Sequence, residues 1–158
     1  MEARAYSWSS SLNCVEVSST AVRVITEELM GSMGTTASDY AYAVFHQPNA
    51  KFPVKVGKQL GFSYEQLEPG LLVNEIGNTY AGSSMTGLTA VLEVAQPGDR
   101  ILLVSFGSGA GSDAFSLRAT EALSVRRQLA PSTRAYVDRR VEIDYATYAR
   151  FRKKLMLV

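Results

Sequence analysis

The chain has 158 residues, of which 46% are hydrophobic and 20% are charged, and this length fits one globular domain with its own core. Sixteen basic and fifteen acidic residues leave a net charge of +1, which gives no support for nucleic acid as a partner. One cysteine and one histidine exclude an internal disulfide and argue against a structural metal site. The chain shows no signal-peptide pattern and no long apolar run, so we expect a cytoplasmic protein without membrane contact.

The first half of the chain alternates between helical and extended patterns. Residues 1–17 are polar and aperiodic and are predicted to be an irregular lead-in. From Ser18 onward, apolar side chains recur at helical spacing, which predicts a surface helix ending near Ser32. The aromatic and aliphatic run Tyr42–Phe45 predicts a buried strand, and Asn49 is expected to cap the helix that follows.

The second half continues this alternation. Residues 71–76 are a weak strand candidate, and residues 83–95 carry a single charge, Glu93, which predicts a buried helix. Residues 101–104 are continuously apolar, as in a central strand, whereas residues 115–120 alternate and predict a strand with one wetter face. Alternating elements of this kind predict an α/β fold, a layered sheet with covering helices.

The composition changes after about residue 123, where arginine and lysine become frequent. Asp144 is expected to cap a last helix whose Tyr145, Tyr148 and Leu155 pack inward. We interpret the tail as a solvated helical extension in preference to an RNA-binding arm, with a pocket for a phosphate-bearing cofactor as the alternative. The predicted organisation is therefore a lead-in at 1–17, a domain at 18–123 and a helical extension at 124–158.

His46 is the only histidine, and it follows the predicted strand Tyr42–Phe45. A lone histidine in this position is more often a packed residue than a catalyst. Asn78 lies in the turn Gly77-Asn78-Thr79, which follows the weak strand candidate at 71–76. If both residues leave strands at the same edge of one sheet, an imidazole N–H and an amide N–H form a donor pair for a developing oxyanion.

Three longer motifs carry a resemblance to a known family. They are VFHQPNAKFP at 44–53, PGLLVNEIGNTYAGSSMTGLTAVLEVAQPGDRILLVSFGSGAGSDAF at 69–115, and RRQLAPS at 126–132. In these motifs the chain resembles the C-terminal half of archaeal-type hydroxymethylglutaryl-CoA synthases, members of the thiolase and ketoacyl synthase superfamily. The resemblance implies the C-terminal half of a thiolase-like fold.

The same resemblance implies a reaction and a set of site residues. Such enzymes take acetyl from acetyl-CoA on a cysteine, add it to acetoacetyl-CoA and hydrolyse the product from the enzyme, as part of the mevalonate pathway to isoprenoids. CoA thioesters are then substrates, and no cofactor is implied. By motif, His46 would polarise the acetoacetyl group and Asn78 would bind the thioester or ketone oxygen. The CoA and acyl sites would be formed by Lys51, Tyr80, Gly107 and Ser108.

The family's cysteine nucleophile and glutamate acid/base lie in its N-terminal half, which these 158 residues do not resemble. Cys14 is expected to precede the first helix, without a neighbouring cation to lower its pKa, and is not a candidate nucleophile. The resemblance therefore implies a partner, either a complementary N-terminal half or a second copy in a homodimer. It also implies assembly with a thiolase and a small bridging protein. The alternatives are an inert half-fold serving as an acyl-CoA-binding or assembly module, and a relative of ketoacyl synthase III.

Overall fold

The computed structural model describes residues 2–9, 14–107 and 111–154, with side chains from residue 18 onward. Within these residues, four strands form one sheet in the order β1-β4-β3-β2. The strands are β1 (Glu2–Ser9), β2 (Tyr42–Phe45), β3 (Arg100–Phe106) and β4 (Gly111–Arg118). β2 and β3 are parallel, whereas β4 is antiparallel to both β3 and β1. The α/β class and the layered sheet predicted from the alternating pattern are confirmed.

Two long helices cover opposite faces of the sheet. α1 (Cys14–Met33) packs on one face with α2 (Lys51–Gln59), and α5 (Ser83–Val94) packs on the other. Short helices α3 (Tyr64–Leu67) and α4 (Val73–Ile76) lie between α2 and α5 in the chain. The protein therefore has two hydrophobic cores, one on each face of β2 and β3. In both cores the buried residues recur at the period of the helix or strand to which they belong.

The first 17 residues depart from the expectation. The prediction of an irregular lead-in is wrong, because Glu2–Ser9 forms an edge strand that pairs antiparallel with β4 along its whole length. α1 also begins at Cys14, so the expectation that this cysteine precedes the helix is wrong as well. Pairing with a strand more than a hundred residues away supplies hydrogen bonds that the local pattern does not reveal.

Two further expectations are corrected. Residues 71–76 are not a strand, since a 3₁₀ turn at Glu68–Gly70 leads into α4. β4 does have one wetter face, but it carries the partly exposed Asp113 and Phe115, whereas the polar residues Ser112 and Ser116 are buried on the other face. These small side chains belong to the strand that α1 packs against, which allows the helix to lie close to the sheet.

The helix at 83–95 is confirmed, but only one side of it is buried. Ser83, Gly87 and Val91 face the sheet side, whereas Met85 and Val94 are exposed. Although the helix is almost free of charge, the first turn of its outer side, at Met85, is left uncovered by the residues that the structure describes.

The described part of the tail is helical, with α6 (Ala122–Arg126), α7 (Thr133–Asp138) and α8 (Tyr145–Phe151). It docks on the C-terminal end of α5, where the Arg127 guanidinium donates to the carbonyls of Glu93 and Ala95. Asp144 caps α8 as predicted by accepting from the N–H of Thr147.

The prediction that Tyr145 and Tyr148 pack inward is wrong, since both side chains are exposed. The centroids of their rings lie 6.0 Å apart. Leu155 lies outside the described residues. Among the residues described, no helix is both long and apolar enough to cross a bilayer.

Candidate active site

His46 lies at the carboxyl end of β2, where its backbone N–H donates to the carbonyl of Val104 on parallel strand β3 at 2.9 Å. The side chain is only 8% exposed, and burial lowers the pKa of the imidazole below its usual value. The ring is therefore neutral at pH 7. Its Nδ1 lies 2.8 Å from the Oγ of Ser83, the first residue of α5, and the rings of Phe52 and Phe106 flank it.

Gln47 joins the end of β2 to the segment that precedes Asn78. Its side chain is 2% exposed, donates from Nε2 to the carbonyl of Gly70 at 2.6 Å, and accepts from the N–H groups of Leu72 and Val73. Its own backbone N–H donates to Ser83 Oγ at 3.0 Å. This one side chain therefore caps the start of α4 and fixes that segment against the strand.

Gly87 makes the approach of α5 to Gln47 possible. A Cβ built at this glycine would lie 2.8 Å from Gln47 Nε2 and 2.9 Å from the carbonyl oxygen of Gly70. Any larger residue would displace either the amide or the helix. The small residues of the 77–95 stretch thus have a concrete function here, which is close packing beside His46.

Asn78 is exposed and does not leave a strand, because α4 precedes it; the prediction of a second strand end at this point is wrong. Its Oδ1 accepts from the N–H of Tyr80 at 2.7 Å, which leaves the Nδ2 amide group as the donor of this side chain. The 3₁₀ turn Tyr80–Gly82 then connects it to Ser83, the contact of His46. Asn78 therefore lies five residues before the contact of His46 in the chain, and no hydrogen bond joins the two side chains.

Tyr80 has a positive φ of 53° and is 76% exposed, so within the described residues it is not packed in a core. That Tyr80 forms part of the wall of an acyl site stays a prediction. Gly107 directly follows Phe106, which contacts His46, and its N–H donates to the carbonyl of Gly111 to close the β3–β4 hairpin. Ser108 lies outside the described residues.

Lys51 is exposed at the first turn of α2, beside Phe52. Asn49 Oδ1 accepts from the N–H groups of Lys51 and Phe52, both at 3.0 Å, so the predicted capping is confirmed. The ammonium group of Lys51 forms no ion pair with a described residue. Within the described part of the chain it is thus an unpaired cation, on the helix that follows His46.

Local sequence reasoning missed Gln47 and Ser83. Both belong to the quoted motifs, but their contacts join residues 23 to 37 positions apart, and no local pattern reveals such contacts. The available signal is the place of this glutamine, directly after an apolar run and the candidate histidine. Among the described residues, no three His, Cys, Asp or Glu side chains converge as metal ligands.

Comparison with protein families and with known proteins identifies relatives of this chain. Residues 30–119 match the model of the family "3-Oxoacyl-[acyl-carrier-protein (ACP)] synthase III C terminal". Hydroxymethylglutaryl-CoA synthase of Thermococcus onnurineus is 57% identical over 129 residues, which are 82% of this chain and 37% of the relative. The chain thus spans little more than a third of the length of the curated relatives it matches.

Solved structures agree with the fold. β-Ketoacyl-[acyl carrier protein] synthase III of Thermus thermophilus superposes with a TM-score of 0.58 at 32% identity, over 68% of this chain and 35% of that one. A hydroxymethylglutaryl-CoA synthase crystallised with CoA gives a TM-score of 0.68 at 21% identity, over 95% of this chain and 46% of that one. The fold is therefore thiolase-like. Since the family model covers more than half of its residues, the chain belongs to the 3-oxoacyl-[acyl-carrier-protein] synthase III C-terminal family, and it is similar to part of the hydroxymethylglutaryl-CoA synthases.

Proposed function

We propose that this chain forms the acceptor side of a condensing site that makes hydroxymethylglutaryl-CoA from acetyl-CoA and acetoacetyl-CoA. The observation that carries the proposal is the buried, neutral imidazole of His46 at the end of two parallel strands. A neutral ring N–H in a largely water-free position is a strong donor to a carbonyl oxygen that gains negative charge. The identity of 57% to a curated synthase over 82% of the chain supports the substrate class.

In the proposed reaction, the acetyl group is held as a thioester, and its enolate carbon attacks the ketone carbon of acetoacetyl-CoA. A carbon–carbon bond forms while the ketone π electrons move to oxygen, which becomes an alkoxide and then takes a proton. His46 and the Nδ2 amide of Asn78 stabilise that oxygen or the neighbouring thioester oxygen by donating hydrogen bonds. Lys51 binds CoA phosphate or the pantetheine arm, and Tyr80, Gly107 and Ser108 line the acyl site.

The thioester-forming cysteine and the acid/base glutamate come, in this proposal, from an N-terminal half that is not among the 158 residues. The uncovered part of the outer side of α5, where Met85 is 55% exposed, is a surface on which such a half or a second copy would pack. Assembly with a thiolase and a bridging protein, a cytoplasmic location and a place in the mevalonate pathway belong to the same proposal.

A second candidate is condensation on acyl carrier protein, favoured by the description of the matching family. A third is an acyl-CoA-binding or assembly module without catalysis. The nature of the thioester carrier separates the first two functions, because CoA and acyl carrier protein share the phosphopantetheine arm and differ in the group that this arm is attached to.

Calorimetric titration of the chain with acetoacetyl-CoA tests the proposal. We expect saturable binding that His46→Ala abolishes and that Lys51→Ala weakens about 10- to 100-fold, since a charge-assisted hydrogen bond contributes about 1.5–3 kcal/mol. Lys58→Ala is the matched control, because Lys58 is exposed on the last turn of the same helix. Tighter binding of acetoacetyl linked to acyl carrier protein would favour the second candidate, and no binding of either thioester would favour the third.

A further inference from the structure

Ser83 contacts two residues at the centre of the site. Its Oγ accepts a hydrogen bond from the backbone N–H of Gln47 at 3.0 Å and lies 2.8 Å from His46 Nδ1. The side chain is 4% exposed, so water does not readily replace either partner. This geometry determines which nitrogen of His46 carries the proton.

The donors and acceptors allow one complete arrangement. The Gln47 N–H can only donate, so Ser83 Oγ accepts from it, and the single hydroxyl hydrogen remains for one further partner. Among the described residues, the only other atom within hydrogen-bond distance of Ser83 Oγ is His46 Nδ1. If Nδ1 carried the proton instead, the hydroxyl hydrogen would be buried without an acceptor in the described part of the chain, which is unfavourable.

Two features hold this arrangement in place. Gln47 cannot move its backbone N–H easily, because its side chain is fixed on Gly70, Leu72 and Val73. The imidazole cannot turn over easily, because the rings of Phe52 and Phe106 lie 6.4 and 5.9 Å from it, measured between ring centroids. His46 Nε2 forms no hydrogen bond with any residue that the structure describes.

We propose that Ser83 is a positioning residue that holds neutral His46 in the Nε2–H tautomer, so that Nε2–H is the donor offered to the substrate carbonyl. The tautomer follows from the hydrogen bonds alone, whereas the role of Nε2–H toward a carbonyl rests on the function proposed above. Ser83 itself touches neither substrate nor reacting atoms in this proposal. It acts on the reaction by fixing the protonation site of another residue.

NMR of the ¹⁵N-labelled chain tests this directly, since His46 is the only histidine and its ring signals need no assignment by mutation. Long-range ¹H–¹⁵N correlation distinguishes a protonated ring nitrogen from an unprotonated one. In the wild type at pH 7.5, about a unit above the ordinary pKa of histidine, we expect protonated Nε2 and unprotonated Nδ1. Ser83→Ala should shift the ring toward a mixture of tautomers, whereas Ser83→Thr should keep the wild-type pattern because the hydroxyl is retained.

Ser84→Ala is the matched control, since Ser84 is a neighbouring serine that is 2% exposed and forms no hydrogen bond with His46. A wild-type ring protonated at Nδ1 would overturn the proposal, even if Ser83→Ala failed to fold. A folded Ser83→Ala chain with the wild-type tautomer would also overturn it. An Nε2–H ring in a chain that does not bind acetoacetyl-CoA would instead leave the tautomer and the positioning by Ser83 standing, and would contradict the proposed function together with the role of Nε2–H toward a carbonyl.

Discussion

Gly87→Ala is expected to destabilise the fold by about 3 kcal/mol, although alanine is the better helix former by about 1 kcal/mol. The new Cβ would lie 2.8 Å from both Gln47 Nε2 and Val44 Cγ1 and 2.9 Å from the Gly70 carbonyl oxygen. Overpacking of this kind costs about 1–3 kcal/mol, and displacing the buried Gln47 amide from its partner adds about 1–3 kcal/mol. Urea unfolding followed by circular dichroism measures the change in the free energy of unfolding.

Gly31→Ala provides a control of opposite sign. Gly31 lies near the end of α1, is exposed, and a Cβ there would meet nothing within 4 Å. The same chemical change should therefore stabilise the chain by about 0.5–1 kcal/mol. If Gly87→Ala unfolded at the same urea concentration as the wild type, α5 could not approach Gln47 as closely as the structure shows.

Gln47→Leu is expected to destabilise the chain by about 3 kcal/mol and to weaken acetoacetyl-CoA binding without changing any residue proposed to touch the substrate. Leucine fills a similar volume but leaves the carbonyl of Gly70 and the N–H groups of Leu72 and Val73 without their partner. Each buried group left unpaired costs about 1–3 kcal/mol, and partial access of water reduces their sum. Segment 71–78, which carries Asn78, should then open locally.

Two measurements check this expectation. The urea transition gives the change in stability, and amide hydrogen exchange should show faster exchange at Leu72 and Val73 than in the wild type. Gln59→Leu is the control, since Gln59 is exposed at the end of α2 and forms no side-chain hydrogen bond with a described residue. Equal stability of the two variants would mean that Gln47 does not hold the segment before Asn78.

The sequence predicts the elements whose signals are local. β2 has the predicted bounds, Asn49 and Asp144 cap their helices, and α5 and β3 lie where apolar runs and turn residues indicate. These features depend on side chains within a few positions of one another, which is what periodicity and capping rules describe. The α/β fold class follows from the order of these helices and strands along the chain.

The wrong predictions at residues 71–76 and at β1 have a common physical cause, which is contact between residues far apart in the sequence. Residues 71–76, predicted to be a strand, form a short and mostly apolar segment, a pattern that does not distinguish strand from helix. The helical conformation is favoured because Gln47 Oε1 accepts hydrogen bonds from the N–H groups of Leu72 and Val73. β1 depends in the same way on its pairing with β4. At the site, His46 was predicted, but Ser83 and Gln47 gain their roles only when the fold brings them to it.

An exchange of segments tests the proposal that this chain supplies the acceptor side of a hydroxymethylglutaryl-CoA synthase. The 129 residues that match Thermococcus onnurineus hydroxymethylglutaryl-CoA synthase would replace their counterpart in that enzyme. The release of CoA thiol from acetyl-CoA that depends on added acetoacetyl-CoA would then be measured on chimeras shown to be folded by their thermal transition. We predict a condensing enzyme whose rate falls about 10²- to 10³-fold with His46→Ala, the loss expected for an oxyanion donor. A folded chimera without condensing activity, or one whose rate His46→Ala leaves unchanged, would contradict the account.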